Sequence, residues 1–139
     1  MLPQVREAFV GLLSDATTRI LKRERRDVLE IARKAFKRDA PQALRADLEA
    51  FYANHEGFIT DALAGPSAAY GRAIGNWDAG QAIPQAARRH IEATDNAIRA
   101  VLESENPTFE AVEALFSDEM LAKRAQNAGN ELIEALSTE

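Results

Sequence analysis

The residues of this chain with chemistry to offer are few. They are two histidines, His55 and His90, some carboxylate pairs, and a run of nine Lys and Arg between Arg19 and Arg38. Histidine suits acid–base work or metal ligation near neutral pH. His55 falls on the apolar stripe of a helix, with Phe51, Tyr52 and Phe58, and reads as a hydrogen-bonded core histidine. His90, in "ARRHIE", lies beside a stripe position and reads as solvated or as capping a neighbour's carboxylate. Asn54, His55 and Glu56 are consecutive, so on a helix they face different ways and cannot share a metal. No His-Glu-x-x-His, Glu-x-x-His or acidic metal-loop spacing occurs. Asp47 with Glu49, and Glu110 with Glu113, read as solvated helix surface. "GPSAAYGRAIG" lacks both a Walker lysine and a preceding strand, and no Gly-x-Ser-x-Gly is present. The absence of cysteine removes disulfides, thiolate metal sites and cysteine nucleophiles together. The expectation is a protein that is not an enzyme and carries no cofactor or metal.

The basic run is the sharper signal. Lys22, Arg23, Arg25, Arg26, Arg33, Lys34, Lys37 and Arg38 supply the clustering that neutralising phosphates requires. Yet Glu24, Asp27 and Glu30 interleave them, and Glu30 to Lys34 is a favourable i,i+4 pair. No aromatic side chain that could stack a base appears until Phe36, which belongs to the apolar stripe. Alternating signs mark an exposed helix face laced with ion pairs. Residues 1–38 hold ten basic and five acidic side chains (+5), while residues 39–139 hold seven and seventeen (−10). The basic segment is therefore expected to meet acidic protein groups, in its own chain or a neighbouring copy, with nucleic acid the second choice. Trp77, in the loop "GNWDAG", is a candidate interface anchor, a role in which tryptophan is over-represented.

The elements that position these residues are helical nearly throughout, with no period-2 stretch. The first runs from about Pro3 to Arg38 on a stripe of Val5, Phe9, Leu12, Leu13, Ala16 and Ile20, resuming at Val28, Ile31, Ala35 and Phe36. "KRERRD" interrupts that stripe, and the helix is expected to leave the core there or to cross a second chain. Asp39 is expected to cap the second helix, which carries Leu44, Leu48, Phe51, Tyr52, His55, Phe58, Ile59 and Leu63 and ends at Gly65-Pro66. A short turn or helix, "SAAYGRAI", leads into the loop, and the next helix covers roughly Gln81 to Glu103. Asn106-Pro107 is read as a further cap followed by a short apolar segment, and Ser117 as the cap of a last helix. The fold class expected is all-α: four to five helices with a long N-terminal one, in a bundle or an elongated helical hairpin assembly, forming one domain over residues 1–139.

Leu, Ile, Val and Phe make up only 32 of the 139 residues, with 27 alanines beside them. Alanine favours helix and close helix approach but contributes little burial energy, so the core is expected to be thin and to invite association. No apolar run approaches the roughly 20 residues that span a bilayer. Glu7 stands where a signal peptide carries cations, so a cytoplasmic location is expected.

"RILKRERRDVLEIARKA" followed by "LEAFYANHEGFITDALAGPSAAY" resembles the helical C-terminal region of portal proteins of tailed bacteriophages and related prophage or gene-transfer particles. The likeness covers most of the chain. It rests on the charged helix (Arg23, Glu24, Arg25), the aromatic helix (Phe51, Tyr52, His55, Phe58) and the late Lys123-Arg124-Ala125. It implies a ring-forming virion component at the DNA entry vertex, without catalytic activity, the first group exposed or between subunits and the second in the core. A portal subunit is several times longer, and its wing, stem and clip have no counterpart here. The expected function is thus a non-enzymatic assembly domain that self-associates or docks on a larger particle. The alternatives are a nucleic-acid binder using the basic helix and a small regulator of one protein partner.

Overall fold

The computed structural model describes residues 3–76 and 79–137, all-α among them; Trp77 lies outside the described residues. Among these described residues five α-helices follow one another: α1 (Pro3–Lys37), α2 (Leu44–Ile74), α3 (Ile83–Leu102), α4 (Phe109–Ala114) and α5 (Asp118–Ser137). Turns of 3-10 helix at Pro41–Ala43 and Ala79–Ala82 lead into α2 and α3. No helix among the described residues is long and apolar enough to cross a membrane.

α1 packs between α5 and α2, and α2 in turn packs against α3. Contacts at both ends fix the directions. Arg6 meets Glu134 and Arg25 meets Asp118, so α5 runs antiparallel to α1. Phe9 meets Tyr70 edge-on and Arg38 meets Asp47, which makes α2 antiparallel to α1. Gln42 Nε2 donates to the Leu102 carbonyl, turning α3 back along α2. The result is an up-down-up-down bundle in the spatial order α5, α1, α2, α3, with α4 in the α3–α5 connection.

The charged midpoint of α1 does not leave the core. α1 is continuous for 35 residues, and its buried face runs Val10, Leu13, Thr17, Ile20, Leu21, Glu24, Val28, Ala32, Ala35. Steps of three and four carry the stripe straight through position 24, so a carboxylate occupies a core position. Val5 and Leu12, expected on the stripe, point outward instead and are 36% and 49% exposed.

Three helix boundaries also differ from expectation. Asp39 does not cap α2. It takes a left-handed φ of 55° and closes α1, with the Ala40 N–H donating to the Ala35 carbonyl and its own N–H to Phe36. Gly65-Pro66 does not end α2, which continues to Ile74 with Pro66 inside it. An interior proline removes one backbone hydrogen bond, and burial of Ser67 and Tyr70 beyond it holds the helix on course. The Tyr70 hydroxyl and Ser137 Oγ lie 2.6 Å apart, tying that end to α5. The actual stop is Gly75 at φ 77°, where the Asn76 N–H donates to the Gly71 carbonyl. At α4 the cap is Thr108, not Asn106: its Oγ1 accepts from the Ala111 N–H. Thr108→Ala is expected to cost about 1 kcal/mol, read as a shift in the urea midpoint with faster amide exchange confined to α4. Ser117 caps α5 as expected, accepting from the Met120 N–H at 3.2 Å.

Candidate functional site

The core consists of two apolar clusters with a polar layer between them. One cluster holds Leu13, Ile20, Ile59, Leu63, Tyr70 and Ile133; the other holds Leu21, Val28, Leu48, Ile98, Phe116 and Leu121. Between these levels the long helices contribute Glu24 (α1), Tyr52 and His55 (α2), His90 and Thr94 (α3) and Arg124 (α5). Glu24, Tyr52, His55 and Thr94 take buried places on the core faces of their helices, and His90 and Arg124 stand half-buried beside them at the same level.

Glu24 is the centre of the layer and is fully buried. Its Oε1 lies 2.8 Å from His90 Nε2 and 3.4 Å from His55 Nε2, so imidazoles from two other helices converge on one carboxylate oxygen. Burial works to raise the Glu24 carboxyl, but the contacts with His55 and His90, and the charge these rings bring when protonated, outweigh it. They hold Glu24 below the usual carboxylate range. His55 is stacked between Phe51 and Phe58, at centroid distances of 4.8 and 5.4 Å, which fixes its plane. Burial pushes the Tyr52 phenol well up, and the Glu24 charge adds to the effect. Glu24 Oε2 and His55 Nδ1 are buried without a hydrogen-bond partner among the described residues.

His90 also opens this layer to the outside. It lines a cleft of about 220 Å³ between α3 and α5, whose floor is Ile20, Ile59, Leu63 and Leu132. Gln85, Arg89, Asn127 and Glu131 stand along the cleft, and Arg124 bridges one end by donating to Thr94 Oγ1 at 2.7 Å.

A carboxylate–imidazole pair beside a cleft can orient a histidine for proton transfer. The described residues place no hydroxyl in hydrogen-bond contact with either imidazole. Among them, no group of three His, Cys, Asp or Glu side chains is arranged to hold a metal ion.

The basic residues divide into two sets. Arg25 turns toward its own chain and is hydrogen-bonded to Asp118 at 2.6 Å, and this holds the Asp118 carboxyl below its usual range. Arg38 reaches Asp47, Arg23 lies 4.2 Å over the Phe58 ring, and Arg33 sits 5.0 Å over Phe109. Lys34 pairs with Glu30, the i,i+4 contact expected from spacing, and Arg26 pairs with Asp27. Lys22, Arg23, Arg26, Arg33, Lys34, Lys37 and Arg38 are nevertheless exposed. Of the Arg23, Glu24, Arg25 group, expected to be exposed or between subunits, Glu24 is in the core and Arg25 is half-buried.

Sequence reasoning placed His55 in the core and allowed His90 a carboxylate to cap, but it did not identify Glu24 as that carboxylate. The signal was the unbroken 3–4 spacing through position 24, masked by four cations around it. No protein-family model, curated protein or solved structure matches this chain.

Proposed function

We propose that this chain is a non-enzymatic helical assembly module that binds acidic protein surface, in the first instance a further copy of itself, through the outer face of α1. The observation that carries this reading is the order along that face. Arg19, Lys22, Arg26, Arg33 and Lys37 are all exposed, and at 3.6 residues per turn they fall within about 60° of one another. Toward the N-terminus the same face continues into exposed Leu12 and Val5. The C-terminal half of the face is thus cationic, and the N-terminal half sets exposed Leu12 and Val5 beside exposed Gln4 and Asp15, while residues 39–139 carry the compensating −10.

Two such faces brought together would oppose like charges. The cationic stripe of one copy therefore meets an acidic surface elsewhere on the next. A head-to-tail contact of this kind closes into a ring or propagates as a filament, in keeping with the ring-forming portal region that the sequence resembles and a place in a virion-type particle. Duplex or single-stranded DNA is the second ligand for the same stripe. The exposed Glu30 within the stripe, and the lack of aromatics on it, favour protein.

The test is molar mass by light scattering at about 50 and about 500 mM salt, which brackets weak and strong screening. The expected result is a discrete oligomer that dissociates at high salt and is lost in an R19E/K22E/R26E variant. A salt-indifferent monomer overturns the assembly reading. A DNA shift at about 50 mM salt that disappears in the same variant replaces it with the nucleic-acid one.

A further inference from the structure

We propose that the cleft between α3 and α5 binds a small amphipathic monocarboxylate. Its head group meets Arg124 and Arg89, and its apolar tail lies on Ile20, Ile59, Leu63 and Leu132. Three observations converge on this chemistry. The cleft has an apolar floor drawn from α1, α2 and α5, of the kind that holds a hydrocarbon or ring away from water. Two of the side chains lining it are guanidiniums, and neither has a carboxylate within ion-pair distance among the described residues. Arg6, Arg23, Arg25, Arg26, Arg38, Arg45 and Arg99 all do, whereas Arg19, Arg33, Arg72 and Arg88, which do not line the cleft, are likewise without one among the described residues.

The third observation is the arrangement along the cleft. α3 and α5 run antiparallel, and the Arg124–Thr94 bond sets their register. Arg124 and His90 therefore stand at one end, Arg89 follows within about two turns of helix, and the aliphatic floor runs on beyond them. Arg124 is half-buried and pre-set by its bond to Thr94, which leaves further donors of a rigid planar fork for a carboxylate. Partial removal from water strengthens that attraction. Glu131, on the α5 side of the cleft, works against a second negative charge on the ligand, which selects a monoanion over a dianion. The α3 lining from Ala82 to Ala93 spans about 16 Å at 1.5 Å per residue, room for an extended medium-length chain.

The test uses the full chain and compares sodium decanoate with decylammonium chloride, both below their micelle concentrations, by backbone amide NMR. Expected is a saturable decanoate shift confined to the cleft lining: residues 85–94 of α3, 124–135 of α5, Thr17 to Ile20 of α1 and Ile59 to Leu63 of α2. Decylammonium should bind about tenfold or more weakly, the difference expected for a charge-assisted contact. R89Q/R124Q should lose the preference for the anion, and A128W, which fills the cleft, should abolish binding of both ions. Equal binding of the two ions to the wild-type chain overturns the proposal whether or not the variants fold. So does a decanoate shift centred on Val5 and Leu12, or none at all.

Discussion

Replacing His90 with alanine is expected to lower the unfolding free energy at pH 7 by about 3–5 kcal/mol, because it leaves a buried carboxylate with one partner fewer. In the native chain Glu24 has no exposed surface, and the 2.8 Å contact with His90 is its shortest to any side chain. His55 alone, at 3.4 Å, and an Oε2 with no hydrogen-bond partner among the described residues cannot replace it. Urea denaturation measures the loss, and a change below about 1 kcal/mol would show that the layer contributes little to stability.

The pH arm has a definite sign. The folded-state pKa of Glu24 is held below the ordinary value of 4.5, so its ionised form contributes stability that is present above that value. The contribution is lost as pH falls through the lower folded-state value. Relative to Glu24→Gln, the wild type should therefore hold its full advantage at pH 6–7 and give it up progressively at acid pH. A gap that stays constant down to pH 3 would show that the folded state does not favour the Glu24 carboxylate.

A coordinated replacement should behave quite differently. E24L/H55F/H90L removes every member of the buried charge cluster and puts apolar side chains of comparable bulk in their place. It should fold and be neutral or more stable by about 1–4 kcal/mol, since desolvating charges costs more than their attraction returns. Collapse of that variant to a state without fixed tertiary packing would instead assign the polar layer the task of setting helix register.

The second large effect is expected at Gly129, where α5 crosses α1. A Cβ at this position would overlap Ser14 Oγ, lie 2.9 Å from the Val10 carbonyl oxygen and 3.3 Å from the Ser14 nitrogen. The hydroxyl can rotate away, but the backbone atoms move only if the two helices separate. Gly129→Ala is expected to cost about 1 kcal/mol net, overpacking outweighing the ~1 kcal/mol of helix propensity that alanine adds. Gly129→Leu should cost about 3 kcal/mol. Ser14→Ala removes the nearest atom, so the S14A/G129A double variant should recover part of the alanine loss. Thermal or urea unfolding of the four proteins closes the cycle. An alanine variant more stable than wild type would mean that the helices yield at this crossing.

These two sites also separate what was legible in the chain from what was not. Steps of three and four among apolar residues, alanine content and the proline and glycine positions were enough to read an all-α protein, its long first helix and the core faces of α2, α3 and α5. Local chemistry determines those features, because the helical period and the φ restrictions of Pro and Gly act over one or two turns. Local chemistry also reads charge as solvent, and that was the source of the main error. The sequence alone makes position 24 one more charge in "KRERRD". Only the packing of α1, α2 and α3 supplies the two imidazoles, 31 and 66 residues away, that make its burial tolerable. Pro66 is the same lesson in reverse: a strong local stop overruled by burial of Tyr70 beyond it and its tie to Ser137. Gly129 gave no sign in the sequence, since a glycine within a helix shows its purpose only when the backbone of another helix lies against it. The sequence by itself determined that the chain is helical and which faces α2, α3 and α5 bury. The tertiary structure decided which charges lie inside, because a buried charge is stable only beside partners that distant parts of the chain provide.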